Sequence, residues 1–360
     1  MKKRTSIFVK IFRVIGIVLG AILILAVGLI GYLSATEYKP AETESITANG
    51  TSGKALSVGD TVTVMGWNIG YGALGETADF FMDGGSMVRA QNREIVLTDM
   101  CAITEQIRSV NPDILMLQEI DRDSSRSHRV NEYGMLCDNL PAYQSAFANN
   151  YKVSYIPYPM PPLGKVDSGI ATFAQYDMHE NTRIQLPVPF SWPMRIINLK
   201  RCLLVSHIAV DGSDKELVVI NLHLEAYDEG EGKRAQTQML ADLLKAEAQK
   251  GNYVIAGGDF NQMFSDTDTA AVPLYDGNWE APVIDVSALG DGWTCLMDAS
   301  TPSCRLLNRP YQGADKDTFQ YYIIDGFIVS NNLTVESFET RDLGFVHSDH
   351  NPLVLTLKLS

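Results

Sequence analysis

Short strand-like runs recur along this chain, and each gives way at its end to amides, carboxylates or imidazoles. Thr61-Val62-Thr63-Val64 leads to Trp67-Asn68, Ile114-Leu115-Met116-Leu117 to Gln118-Glu119, Leu217-Val218-Val219-Ile220 to Asn221-Leu222-His223, and Tyr253-Val254-Ile255-Ala256 to Gly257-Gly258-Asp259. Runs this short, rich in β-branched residues, suit buried strands better than helices. Helical spacing lies between them. Met100, Ile103, Ile107 and Val110 recur at intervals of 3, 4 and 3 before the stop at Asn111-Pro112, and Lys233 to Lys250 reads as a second helix closed by Gly251. Strands alternating with helices predict an α/β architecture. Because α/β sheets gather their chemistry at strand ends, Asn68, Glu119, His223, Asp259 and His350 are candidates for a single site.

The spacing within these runs sharpens the list. A period of two puts Asn221 and His223 on one strand face, and Asp259 and Asn261 repeat that device beside two glycines. Cys202 to Ile208 and Leu217 to Leu224 read as a hairpin across Asp211-Gly212. Tyr322 to Val329 and Leu353 to Leu359 are the last strands. The first of these carries Asp325 inside apolar surroundings, where a carboxylate needs a partner; Ser348-Asp349-His350, just before the closing strand, supplies an imidazole. Singly, each residue also fits a structural role: Asn68 and Asp259 as turn or cap residues, Asp325 as a hydrogen-bonded core acid, His223 as a satisfied strand-end histidine.

The N-terminus is of another kind. Val14 to Leu33 carries no charge over 20 residues, and about 20 suffice for a helix to cross a bilayer. Lys2, Lys3, Arg4, Lys10 and Arg13 surround its start and no acid occurs before Glu37, so the positive-inside rule places residues 1–13 in the cytoplasm and the chain after Leu33 outside the cell. The competing reading is a cleaved signal peptide, but the run exceeds the usual apolar length of about 7–15 residues, and Leu33-Ser34-Ala35 is a poor cleavage site. Residues 34–58, rich in Thr, Ser, Ala, Glu and Gly, read as a linker holding the domain off the membrane. Residues 59–360 read as one domain. Five of the 29 Lys+Arg lie in the basic head, leaving 24 against 43 Asp+Glu, a formal charge of −19 from Glu37 on. Duplex binders draw affinity from Lys and Arg on phosphates, which this balance disfavours.

Taken in order, Trp67-Asn68-Ile69, Leu117-Gln118-Glu119, Ser168-Gly169-Ile170, Asn221-Leu222-His223, Gly258-Asp259-Phe260-Asn261, Ile324-Asp325 and Ser348-Asp349-His350 resemble the motifs of the endonuclease/exonuclease/phosphatase superfamily, the deoxyribonuclease I-like proteins, across almost all of Thr61 to Leu359. The resemblance implies a four-layer α/β sandwich, two packed mixed β-sheets flanked by helices, with Mg²⁺-dependent hydrolysis of phosphate esters at one rim. It implies Glu119 as the metal carboxylate, Asn68 as an amide near metal and phosphate, and Asp349 near the metal, directly or through water. His223 and Asn261 match groups that hold phosphoryl oxygens. His350 with Asp325 matches a dyad that activates water, and Asp259 an acid beside the nucleophile or leaving group. The residue chemistry agrees, since carboxylate and amide oxygens suit Mg²⁺, or Mn²⁺, and no Cys/His cluster at zinc spacing competes.

The chain also departs from the pattern it resembles. Abasic-site nucleases of the superfamily follow the first motif with a short Arg-bearing segment, whereas Asn68 is followed here by Ile69-Gly70-Tyr71-Gly72-Ala73-Leu74-Gly75. The stretch Gly72 to Arg89 reads as an insertion, with Gly84-Gly85 marking a mobile or tightly turned loop. Arg126 and His128 are candidates for gripping a second phosphate or a polar head, with solvated surface as the alternative. Tyr151 to Pro162 reads as a rigid aromatic loop that stacks on a ring, leans on a membrane, or is merely structural. Cys295 and Cys304 are candidates for closing a disulfide loop. The expected function is a monomeric, membrane-anchored phosphoesterase acting outside the cell on a lipid head group, sugar phosphate or similar small ester. An extracellular nuclease and a catalytically inactive binding module on the same fold are the alternatives.

Overall fold

The computed structural model describes residues 7–228 and 230–360, so Lys2, Lys3 and Arg4 of the basic head lie outside the described residues. Its helices are α1 (Ile7–Ala35), α2 (Arg93–Val110), α3 (Glu132–Asn139) and α4 (Glu231–Gln249). Its strands are β1 (Thr43–Ser45), β2 (Thr61–Asn68), β3 (Ile114–Asp121), β4 (Gln144–Ile156), β5 (Gly164–Ala174), β6 (Met178–Gln185), β7 (Cys202–Ala209), β8 (Glu216–His223), β9 (Tyr253–Asp259), β10 (Met263–Phe264), β11 (Val283–Ile284), β12 (Trp293–Leu296), β13 (Cys304–Arg305), β14 (Tyr321–Tyr322), β15 (Asp325–Ser330), β16 (Leu333–Thr340) and β17 (Leu353–Leu359).

Side-chain alternation along the strands builds four layers. One sheet has six strands in the order β16-β17-β2-β3-β5-β4, the other seven in the order β1-β6-β7-β8-β9-β15-β12. Both are mixed, because β2 pairs parallel with β3, and β8 with β9, among otherwise antiparallel neighbours. Val62 and Val64 of β2 point inward to meet Leu217 and Val219 of β8, while Met65 and Trp67 point outward to Met100, Ile103 and Ile107 of α2. Val218, Ile220 and Leu222 face the other way, onto Leu240 and Leu244 of α4. The expected period of two thus places each apolar side chain in one of three packed interfaces. Gly66 of β2 lets the sheets approach, since a Cβ there would lie 3.1 Å from the Phe327 ring of the other sheet.

The helix ends follow the local signals. The Asn92 side chain accepts a hydrogen bond from the Ile95 backbone N–H and opens α2, and Asn111 closes it with φ 48° before Pro112. Helix α1 is long and apolar enough to cross a membrane, and its apolar window is not buried by the rest of the protein.

Several expectations change. Residues 34–58 do not hang free: β1 pairs with β6 at the sheet edge, and Asn49, Lys54 and Ser57 bridge to Ser145, Tyr176 and Asp211. Extended polar residues without periodicity read as linker, yet their backbone groups complete an open edge. Tyr322 to Val329 is not one strand. The chain pairs with β13 through β14, then shifts to β9 through β15, so Asp325 begins a strand rather than lying within one. Tyr151 to Ile156 belongs to β4, and only residues 157–163 form the proline-rich loop. The Cys295–Cys304 bridge does not form. Cys295 packs beside α4 with Trp293 and Met297, Cys304 sits with Tyr322 and Ile324, and all five cysteines are free.

Candidate active site

The strand ends converge at one rim, where a cavity of about 650 Å³ opens between the two sheets. Beneath it, Gln118 of one sheet donates to Asn221 of the other at 2.8 Å, and the Asn221 amide donates to the Ala171 carbonyl at 2.9 Å. Both amides are fully buried, so this bond fixes the register of the sheets below the site. The carboxylate of Glu119 reaches the rim because β3 bulges between Leu117 and Ile120, and Glu119 takes the left-handed φ of 53°.

Asn68 is the hub. Its Nδ2 donates to Asp259 Oδ2 at 3.0 Å and to Glu119 Oε1 at 3.3 Å, and lies 3.5 Å from His350 Nε2. Its Oδ1 accepts from the Gly70 N–H at 3.1 Å, which orients the amide. Asn261, at φ 50°, donates its backbone N–H to Asp259 Oδ1 at 2.8 Å and its side-chain amide to the Leu224 carbonyl. Asparagine tolerates this conformation, and it turns the chain out of β9 beside the cavity.

His350 Nδ1 lies 2.8 Å from Asp325 Oδ2, with both residues buried. A carboxylate there selects the Nδ1–H tautomer of the neutral ring and leaves the Nε2 lone pair toward the cavity. The Ser303 hydroxyl donates to the same Asp325 oxygen at 2.7 Å and accepts from the Ile324 and Asp325 N–H groups. Trp67 Nε1 donates to the His350 carbonyl at 2.8 Å, and the Ser348 hydroxyl to the Asn68 carbonyl at 2.8 Å, so the first and last motifs are fastened together. Burial disfavours the charged ring of His350, but Asp325, with Cys304 and Asp349 beside it, overrides this and holds its pKa well above the ordinary histidine value. His223 is the opposite case. Burial, with Arg201 and His350 nearby, holds its pKa well below that value. Its Nε2 lies 3.4 Å from Asp259 Oδ2, and its buried Nδ1 has no partner.

The carboxylates crowd one side of the cavity. Burial and Glu119 push Asp349 up to about 6, against His350 and Arg305. Burial, with Asp349 and Glu119, pushes Asp83 up to about 7. Desolvation and Asp325 likewise raise Asp259. Carboxyls pushed up by one another in one cavity, with carboxylate oxygens from Glu119 and Asp349 beside the Asn68 amide, have the chemistry of a hard-cation site.

All eight sequence candidates therefore lie at one rim. Arg126 is not solvated surface. It is buried, pairs with Asp121 at 3.0 Å and Glu119 at 3.5 Å, and stacks 3.7 Å from the centre of the Tyr71 ring. His128 turns away, with Nε2 2.8 Å from the Ala90 carbonyl. The insertion is tightly turned. Asp79 accepts from the Ser86 and Met87 N–H groups, Gly84 takes φ 94°, and Arg305 Nη2 donates to the Leu74, Gly75 and Ala78 carbonyls. Sequence reasoning missed Ser303, Asp83, Arg201, Arg305 and Cys304. None stands in a periodic pattern, and each reaches the site across the chain.

The sequence from residue 65 to residue 350 matches the Endonuclease/Exonuclease/phosphatase family. An endonuclease/exonuclease/phosphatase from Beutenbergia cavernae shares 17% identity at a TM-score of 0.57, covering 83% of this chain and 72% of that one. One from Bacteroides vulgatus shares 15% at 0.52, covering 84% and 100%. Truncated Caenorhabditis elegans TDP2 shares 20% at 0.50, covering 83% and 97%. At these identities the likeness is one of fold. No curated protein sequence matches the chain.

Proposed function

Because the chain belongs to the Endonuclease/Exonuclease/phosphatase family, whose members are hydrolases of phosphoester bonds, we propose that it is a divalent-cation-dependent phosphoesterase for small esters, anchored by α1 with its catalytic domain outside the cell. The observation that carries this reading is the join of the buried Asp325–His350 pair, through the Asn68 amide, to Glu119 and Asp259. Glu119 and Asp349 hold the cation, with the Asn68 side chain beside them. Mg²⁺ or Mn²⁺ supplies polarisation of the phosphoryl oxygen and neutralises charge that develops there.

The remaining work falls to the chain. His350 Nε2 takes a proton as a water oxygen forms its bond to phosphorus, and Asp325 supports the resulting imidazolium. The phosphorus–oxygen bond to the leaving group breaks, and that oxygen leaves as an alcohol once protonated, with Asp259 as the acid beside it. His223, held neutral, and the amides of Asn261 and Asn68 orient the phosphoryl oxygens. Arg126 is occupied by Asp121 and Glu119, so its part is to fix the Glu119 carboxylate rather than to grip a second phosphate.

A cavity of about 650 Å³ falls within the roughly 300–1,000 Å³ of small-ligand sites. With the −19 charge from Glu37 on, this favours a compact ester over a duplex. The full chain should be assayed with Mg²⁺ against plasmid DNA, sphingomyelin, phosphoinositides, sugar phosphates and bis-p-nitrophenyl phosphate. At least one small ester should be cleaved much faster than DNA, and equal rates on plasmid DNA would reverse the preference. For topology, protease added to intact cells should remove the catalytic domain; protection of the domain, or a mature N-terminus near Ala35, would contradict the anchored arrangement.

A further inference from the structure

The end of α1 is fastened to the catalytic domain. Trp192 Nε1 donates to Ser34 Oγ at 3.3 Å, Thr36 Oγ1 and Ser154 Oγ lie 2.8 Å apart, and Glu37 pairs with Arg195 at 3.0 Å and Lys200 at 3.6 Å. With the helix held this way, the face around Ser154 and Trp192 lies next to whatever plane the helix enters. Two loops project from that face, residues 157–163 and residues 190–199. Their tips expose large apolar side chains: Tyr158 is 70% exposed, Met160 84%, Trp192 58% and Met194 54%.

Scattered exposed hydrophobics are ordinary, but these belong to one structure. Ile197 of the second loop packs with Leu163 of the first and with Ile156 at the end of β4, and the Phe81 ring meets Tyr158 at 6.4 Å between centroids. The inner residues of the same loops, Leu163, Asn198 and Leu199, line the catalytic cavity. The apolar tips and the cavity wall are therefore two sides of the same pair of loops. Tyr and Trp favour the boundary where one end of a side chain is apolar and the other wet.

We propose that the catalytic domain docks on the bilayer its own helix spans, through Tyr158, Met160, Trp192 and Met194, and takes as substrate the phosphate ester of a membrane lipid. The substrate half rests on the phosphoesterase reading above; the docking half does not. The head group enters the cavity past Leu163 and Leu199 while the acyl chains stay in the membrane. The contact is apolar rather than basic. A domain of charge −19 gains nothing from anionic lipids, so docking holds on zwitterionic vesicles and is insensitive to salt.

The test uses the full chain in phosphatidylcholine vesicles, with and without bromine on the acyl chains. Met160→Trp in a Trp192→Phe background should show emission that bromine quenches beyond the Trp192→Phe control. Equal quenching in the two proteins overturns the docking. The triple variant Tyr158→Ser, Met160→Ser, Met194→Ser keeps α1 and every cavity residue. In vesicles containing phosphatidylcholine, sphingomyelin and phosphatidylinositol, its release of head-group phosphate should fall by about tenfold or more, since interfacial binding scales with the apolar area inserted. Its turnover of bis-p-nitrophenyl phosphate in solution should be unchanged. A parallel loss of both activities, or no loss of either, contradicts the proposal, as does a wild-type chain that cleaves the soluble ester and none of the lipids. A wild-type chain that cleaves neither refutes the phosphoesterase reading, and the quenching result still decides the docking.

Discussion

Replacing His350 by Ala should lower turnover of a small phosphate ester by about 10²–10⁴-fold, the usual contribution of a positioned general base, and should leave substrate KM nearly unchanged. The imidazole is held on one side by Asp325 at 2.8 Å and presents Nε2 to the cavity, so in the proposed mechanism it acts on the attacking water rather than on ground-state binding. Asp325→Ala should cost a comparable amount, because it removes the group that orients the ring. The double variant should be little worse than the poorer single one, since residues that act as a unit are non-additive. Losses that multiply in a folded protein would return Asp325 to a buried structural acid. The pH profile supplies an independent readout. The ring must be neutral to accept a proton, so the rate falls on the acid side of its pKa, which Asp325 raises. Asp325→Asn removes that cause, and the acid limb should move to lower pH. An acid limb that does not move would mean that another group sets it.

Neutralising Glu119 should be nearly as costly. Glu119→Gln keeps the shape at a bulge residue held at φ 53° and leaves Arg126 paired with Asp121 at 3.0 Å, so the fold should survive. What is lost is the charge that the proposed cation site needs. Metal polarisation is worth several kcal/mol, so kcat should drop by about 10²–10³-fold at fixed Mg²⁺, and Mg²⁺ titration should show a weakened half-activation point. Glu119→Ala should behave alike. Unchanged metal activation in either variant would move the cation to other ligands.

Much of this site was legible because it is built by strands. In a buried strand the period of two decides which face a residue takes, and its end decides the rim; Asn68, His223 and Asp259 obey both rules, whereas Glu119 reaches the rim through the bulge in β3 and His350 stands just before β17. Asp325 was found for its chemistry but misplaced by register, because apolar continuity from Tyr322 to Val329 hides the switch of partner from β13 to β9. Ser303 and Arg305 were illegible for a different reason. Each acts through a contact with Asp325 or with the loop after Asn68, far away in sequence, and leaves no local pattern. Arg126 misled through its neighbours, since a charge-rich stretch reads as solvated until Asp121, Glu119 and the Tyr71 ring enclose it. The fastening of residues 34–58 to the domain depends on an open sheet edge and on Arg195 and Lys200, which no linker composition reveals.

The metal-dependent reaction itself is tested most directly by turnover of bis-p-nitrophenyl phosphate by the full chain in detergent, stripped with EDTA and then titrated with Mg²⁺ or Mn²⁺. Turnover should vanish with the chelator and return with either cation, while Ca²⁺, larger and satisfied by looser geometry, should restore less. Full turnover in excess EDTA would contradict the assignment of Glu119, Asn68 and Asp349 to a cation, and with it the chemistry proposed for the whole rim.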